Sequence, residues 1–109
     1  AIAGASGGPR IITGTMQTLM NAMAGMEAGA AVARPRLHHQ WMPFETQFEE
    51  MYNGQILNVL ADGMRGYGQI IGSTDAVVGN VQLIVRDPDG QGWQAASDPR
   101  KGGRPSGID

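Results

Sequence analysis

The chain has 109 residues, 41% of them apolar and 6% aromatic, with a formal net charge of −2 and no cysteine. That length suits one small domain with a modest core, and the lack of cysteine excludes disulfides, thiolate metal sites and a cysteine nucleophile. The arginines ahead of the C-terminal tail are dispersed singly and no apolar run is long enough to cross a bilayer, so neither a nucleic-acid stripe nor a membrane-spanning helix is expected.

The chain opens on Ala1 without a basic-then-apolar leader, a start expected of a processed or excised segment. Ala1-Ile2-Ala3 suits the tail of a buried strand that runs into the turn Gly4-Ala5-Ser6-Gly7-Gly8-Pro9-Arg10. After Pro9, which fits a first helical turn, apolar residues fall at Ile12, Met16, Leu19, Met20, Met23 and Met26, the spacing of one helical face. The methionines on that face are expected to fill core, and Gly14 within it hints at a closely packed neighbour. Gly29 is expected to end the helix, with a short added turn over Ala30–Ala33 stopped by Pro35. Leu37 to Trp41 reads as extended, Thr46 to Glu50 as a second short strand, and Ile56, Leu57 and Leu60 as a short helix closed at Gly63. Tyr67 to Ile71 is a strand candidate. The clearest local feature is last: a strand at Val81–Val85, a turn at Asp87-Pro88-Asp89-Gly90 and a returning strand at Trp93–Ala96 make a β-hairpin. A helix first and strands later argue for an α/β (α+β) fold, with residues 1–100 as its body and 101–109 as a polar tail; the Arg100-Lys101-Gly102-Gly103-Arg104 cluster reads as a solvated end.

Adjacent glycines ahead of a helix are costly unless the backbone must bend sharply or approach something closely. Gly7 and Gly8 can aim two N–H groups into one concavity, helped by the positive end of the helix dipole, which suits a phosphate or an oxyanion; a tight turn with no ligand is the alternative. No Walker loop, dinucleotide fingerprint or nucleophile elbow is present, so Ser6, Ser73 and Ser97 are weak nucleophile candidates. His38 and His39 are adjacent and would face opposite ways on a strand, which opposes a shared metal; one is expected to be buried against Trp41 and the other solvated. Asp98-Pro99-Arg100 suits a salt-bridged bend.

The blocks GASGGPRIITGTMQTLMN, RPRLHHQWMP, VQLIVRDPDG and QAASDPR stand in this order, and in that order and spacing the chain resembles the γ-glutamyltransferases (γ-glutamyltranspeptidases). The resemblance covers essentially the whole chain and matches the last part of the family's small subunit. It implies an N-terminal-nucleophile hydrolase, an αββα sandwich of which this chain would be part, helices packing on antiparallel strands. A precursor of that family cuts itself in two, and the new N-terminal threonine attacks a γ-glutamyl amide with its own amino group as base. The acyl group then passes to water, an amino acid or a peptide, with no metal or organic cofactor.

Carried over by residue, the oxyanion hole falls on Gly7 and Gly8, which would be both catalytic and substrate-binding; Pro9 stands where many relatives carry serine. The PRLHHQW and ASDPR blocks are expected to be structural. The family's threonine and the residues that hold the glutamyl α-carboxylate and α-amine lie upstream, and the threonines here, at 13, 15, 18, 46 and 74, are all internal. The segment alone is therefore expected to be inactive, with the large subunit and the rest of the small subunit as its partners. An isolated segment is expected to form a homodimer or a swapped arrangement, or to be partly disordered at the GASGGPR end. A periplasmic or extracellular setting is implied by the resemblance alone. Two alternatives remain open: a related acylase of glutaryl or cephalosporin type, and a non-catalytic scaffold that binds an anion or a partner at the glycine turn.

Overall fold

The computed structural model describes residues 1–50 and 54–107; the last two positions of the expected tail lie outside them. In chain order the elements are β1 (Ile2–Ser6), α1 (Arg10–Met23), α2 (Ala28–Ala33), β2 (Leu37–His38), β3 (Gln47–Phe48), α3 (Gly54–Gly66), β4 (Asn80–Arg86) and β5 (Trp93–Ser97). The fold is mixed α and β with antiparallel sheets. β4 lies at the centre of a three-stranded sheet in the order β1-β4-β5, and β2 pairs with β3 in a separate ladder.

The period-two alternation of β4 buries Val81 and Leu83 and turns Gln82 and Ile84 outward. On the inner face Leu83, Ala3, Val85 and Ala96 meet Leu19, Ala22, Met26, Ala28, Ala31 and Val32, so α1 and α2 cover one side of the sheet. Its other side carries Ile2, Ile84 and Trp93, all exposed. The strand at the N-terminus is thus present but lies at a sheet edge, with Ile2 open rather than buried.

The end of α1 differs from the sequence expectation for a local reason. Gly25 (φ +96°) closes it: its N–H reaches the carbonyl of Ala22, and that of Met26 reaches Asn21, the paired bonds of a Schellman cap. Gly29 instead lies inside α2, which stops before Pro35 as expected. Gly63 likewise lies inside α3 rather than ending it. Tyr67–Ile71 forms no strand; Ile71 makes one isolated bridge to Thr46. The hairpin is as read, with Gly90 at φ +75° and its N–H bonded to Asp87.

The larger correction concerns which side of α1 faces inward. Its fully buried residues are Gly14 and Thr18, while Ile12, Met16, Met20 and Met23 are 74%, 51%, 59% and 82% exposed. Met16, Met20 and Met23 do share a face, but within this chain it is an open one; Leu19 and Met26 pack against the core as expected. Among the described residues no helix is long and apolar enough to cross a membrane.

Candidate active site at the glycine turn

β1 delivers the chain to the turn and α1 leaves it, so the geometry of residues 6–10 is fixed at both ends. Gly7 and Gly8 adopt φ +135° and φ +59°, left-handed conformations that L side chains rarely take. Their carbonyls accept from Arg10 (3.2 Å) and Ile11 (3.1 Å), which satisfies the first helical N–H groups. Among the described residues the N–H groups of Gly7 and Gly8 meet no acceptor, and both glycines are exposed. Pro9 has no N–H to compete. Two free donors therefore stand side by side at the positive end of a 14-residue helix. A cavity of about 220 Å³ opens beside them, with Ser6, Gly7, Arg10, Gly79, Asn80 and Lys101 among its walls. The larger cavity, about 570 Å³, lies on the open sheet face and includes neither glycine of the pair.

The turn is held from behind by backbone rather than by side chains. A Cβ on Gly7 would meet the Cα of Gly79 at 3.0 Å, and one on Gly14 would meet the Val78 carbonyl oxygen at 3.0 Å. The close neighbour that Gly14 suggested in the sequence is thus the segment entering β4.

Val78 is in turn tied to a buried cluster of four charges. Its N–H donates to Glu49 Oε1 (2.8 Å) and its carbonyl accepts from Arg36 Nη1 (3.0 Å). Arg36 also meets Asp98 Oδ2 (2.7 Å), and Arg100 meets Glu49 and Asp98 together. The four side chains are at most 5% exposed. Two positive and two negative groups cancel, and backbone groups of Val32, Arg34 and Val81 take up further valences. Burial disfavours the Asp98 carboxylate, but hydrogen bonds from the N–H groups of Val81 and Arg100 and from both guanidinium groups outweigh it and hold its pKa below the ordinary value. For Arg100 burial is likewise outweighed, by its bonds to Glu49 and Asp98, and its pKa rises; for Arg36 burial wins and lowers it. The Asp98–Arg100 bend expected from the sequence is present, as one side of this cluster.

His38 is buried, yet its neighbours are Thr13 and Gln40 rather than Trp41, which is 73% exposed. Gln40 gives its N–H to the Met42 carbonyl, so its oxygen accepts from His38 Nε2, and His38 Nδ1 accepts the Thr13 hydroxyl at 2.6 Å. His39 packs edge-on against Phe44 and accepts the Trp41 N–H. Ser73 is bonded to Asp75, and no serine among the described residues meets a histidine. No group of three or more His, Cys, Asp or Glu among the described residues could hold a metal. The sequence reading missed Glu49, Arg36 and Gly79. Glu49 stands just past β3 among polar neighbours, Glu45, Thr46, Gln47 and Glu50, so its local sequence gave no signal.

The mixed α/β layer, with its antiparallel sheet and helices on one face, matches solved gamma-glutamyltranspeptidases and is part of an N-terminal-nucleophile hydrolase fold. The family model for gamma-glutamyltranspeptidase matches residues 1–108, and the chain belongs to that family. It is 36% identical over 100 residues to the glutathione hydrolase proenzyme of Escherichia coli, covering 91% of this chain and 16% of that protein. Glutathione hydrolase 2 of Arabidopsis thaliana is 36% identical over 120 residues, covering 99% of this chain and 20% of that protein. The gamma-glutamyltranspeptidase of Pseudomonas nitroreducens complexed with L-DON superposes with a TM-score of 0.77 at 27% identity, covering 98% of this chain and 54% of that one. The chain thus spans a fifth or less of these curated relatives and about half of that solved chain.

Proposed function

We propose that the chain is the C-terminal part, residues 1–100 with a polar tail beyond, of the small catalytic subunit of an enzyme that transfers or hydrolyses γ-glutamyl groups of glutathione-type amides. The nucleophile is an N-terminal threonine outside this chain, freed by self-cleavage of a proenzyme. When its hydroxyl adds to the γ-carbonyl, the carbonyl oxygen gains negative charge. The N–H groups of Gly7 and Gly8 take that charge, aided by the head of α1. One observation carries this reading: two adjacent, exposed N–H groups without acceptors, in a turn whose left-handed backbone only glycine holds without strain. The large subunit and the remainder of the small subunit supply the other walls, and water or an amino acid takes the acyl group. The isolated segment lacks the nucleophile and turns nothing over.

The test uses the full-length protein that carries this segment, with γ-glutamyl- and glutaryl-p-nitroanilide as substrates. Hydrolysis of the first and not the second is expected; the reverse would make the protein an acylase of another class, and a protein that stays uncut and inactive on both would be a scaffold. Substitutions then address the turn. In Gly7→Ala the new Cβ meets Gly79 at 3.0 Å and must tilt the peptide, so kcat should fall about 100- to 1,000-fold, the loss of one oxyanion donor. In Gly8→Ala the Cβ meets nothing within 4 Å, leaving a left-handed backbone cost of about 1–2 kcal/mol and a far smaller loss of kcat. Equal, minor effects at both positions would sink the assignment.

A further inference from the structure

Gly79 is buried, far from the glycine pair in sequence, and has φ +73°. A Cβ there would meet the Arg10 carbonyl oxygen at 3.3 Å and the Ser6 carbonyl oxygen and Gly14 Cα at 3.7 Å each. Reciprocally, Gly7 and Gly14 have no room for a Cβ on the sides that face Gly79 and Val78. Three stretches of backbone therefore touch directly: the turn, the first turns of α1, and the Val78–Gly79 peptide. The side away from α1 is fixed as well, since Glu49 and Arg36 hold the N–H and the carbonyl of Val78. An exposed two-glycine turn has many conformations open to it; here one of its faces rests on a backstop that is itself tied to buried charges.

We infer that Gly79 is a positioning residue for the oxyanion donors: by direct backbone contact it sets the tilt of the Gly7 peptide, with Gly14 as the second wall. This rests on the reading of Gly7 and Gly8 as the oxyanion hole. It assigns no chemistry to Gly79, whose part is to hold the backbone of the turn. Its consequence is selective. Displacing the backstop misaims donors that matter when the carbonyl oxygen is negative and much less when it is neutral. A displacement of about 1 Å at such a site costs about 100-fold in rate, and the smaller shift that a Cβ at 3.0–3.3 Å demands costs roughly 10-fold.

The experiment uses the cleaved full-length enzyme in four forms besides wild type. Gly79→Ala crowds the contact from one side. Gly14→Ala crowds it from the other, on a helical backbone where alanine is favoured, so it adds none of the left-handed strain of the first. Gly25→Ala strains a positive-φ position with no neighbour within 4 Å and serves as the control for lost stability alone. Gly7→Ala reports on the turn itself. For each, kcat and KM on γ-glutamyl-p-nitroanilide are measured with the affinity of a γ-boronic acid analogue of glutamate, whose adduct with a hydroxyl nucleophile is tetrahedral and anionic. Gly14→Ala, and Gly79→Ala where it folds, should lower kcat and weaken boronate binding by a common factor of roughly 10-fold, with KM nearly unchanged; Gly25→Ala should lower the melting temperature and move neither. If Gly7→Ala loses boronate affinity while Gly14→Ala and Gly79→Ala retain it, the hole stands and the positioning role is wrong. If Gly7→Ala also retains it, the reading of the hole fails and takes this inference with it.

Discussion

Asp98 shows how a single side chain is committed to the fold. It accepts from Val81 N–H (2.7 Å), from its own bend at Arg100 N–H (3.0 Å) and from both buried arginines. Its folded pKa lies below the ordinary value of 3.8, so the carboxylate contributes stability that is present above 3.8 and lost as the pH falls through the lower folded value. Asp98→Asn keeps the shape and removes the charge, leaving two guanidinium groups facing Glu49 alone. Breaking a buried pair in this way costs about 3–5 kcal/mol. The urea midpoint of the full-length variant should therefore fall well below wild type at neutral pH, and the two should converge below pH 3.8 as the wild-type carboxyl protonates. A gap of constant size down through acid would mean that the charge is not what the cluster needs. Of its partners only Arg100, close by in the chain, was legible in the sequence; Arg36, just before β2, reaches it from far earlier in the chain, and Glu49, just after β3, joins through Arg100.

At the scale of elements, what the chain reveals locally and what it conceals separate cleanly. The hairpin and the strand–turn–helix were legible because proline, glycine and alternation act within a few residues of where they stand. The facing of α1 was not. Periodicity tells which residues share a side, and Ile12, Met16, Met20 and Met23 do, but not which side meets the sheet; Gly14 and Thr18 do that. β2 and β3 were over-read for a related reason, since much of their backbone pairing is with distant residues, Phe48 with Ser73 and Ala76 with Phe48. The glycine turn was legible as a site, whereas its backstop at Gly79 depends on long-range packing. The same packing gives Gln17 a role its sequence context hides. On α1 its side-chain amide donates to the Leu37 carbonyl (2.7 Å) and accepts the Leu37 N–H (3.1 Å), standing in for a missing strand. Gln17→Leu leaves that peptide unpaired at both ends and should destabilise the full-length protein by about 1–3 kcal/mol for each group left unmet. A conservative change at the neighbouring exposed Met16, such as Met16→Leu, should stay within about 0.5 kcal/mol. Matching urea midpoints for the two variants would show that water replaces the amide without loss.

For the molecule as a whole, the exposed apolar surface is the governing fact. One face is the Ile12–Met23 stripe of α1; the other is the outer side of the sheet, where Ile2, Ile84 and Trp93 are 70%, 44% and 66% exposed around the 570 Å³ cavity. Monomeric soluble proteins rarely leave contiguous patches of this kind open, and the chain spans only about half of a solved relative, whose remaining residues have no counterpart here. The sheet face is the stronger driver of self-association: it carries a Trp that can bury about 150–250 Å², and it adjoins the edge strands β1 and β5, whose outer backbone groups can pair with a second copy. The isolated 109-residue chain should therefore sediment as a concentration-dependent dimer that is inactive on γ-glutamyl-p-nitroanilide. Ile84→Lys places a charge at the centre of that face while keeping the inward alternation of β4, and should weaken dimerisation about tenfold or more, the effect of roughly 1.4 kcal/mol. Met20→Lys, on the open face of α1, should change it little. If Met20→Lys is the variant that releases monomers, the helix face is the contact and the sheet face is quiet. Should the wild-type chain sediment as a monomer at its highest soluble concentration, neither face is sticky enough to need a partner.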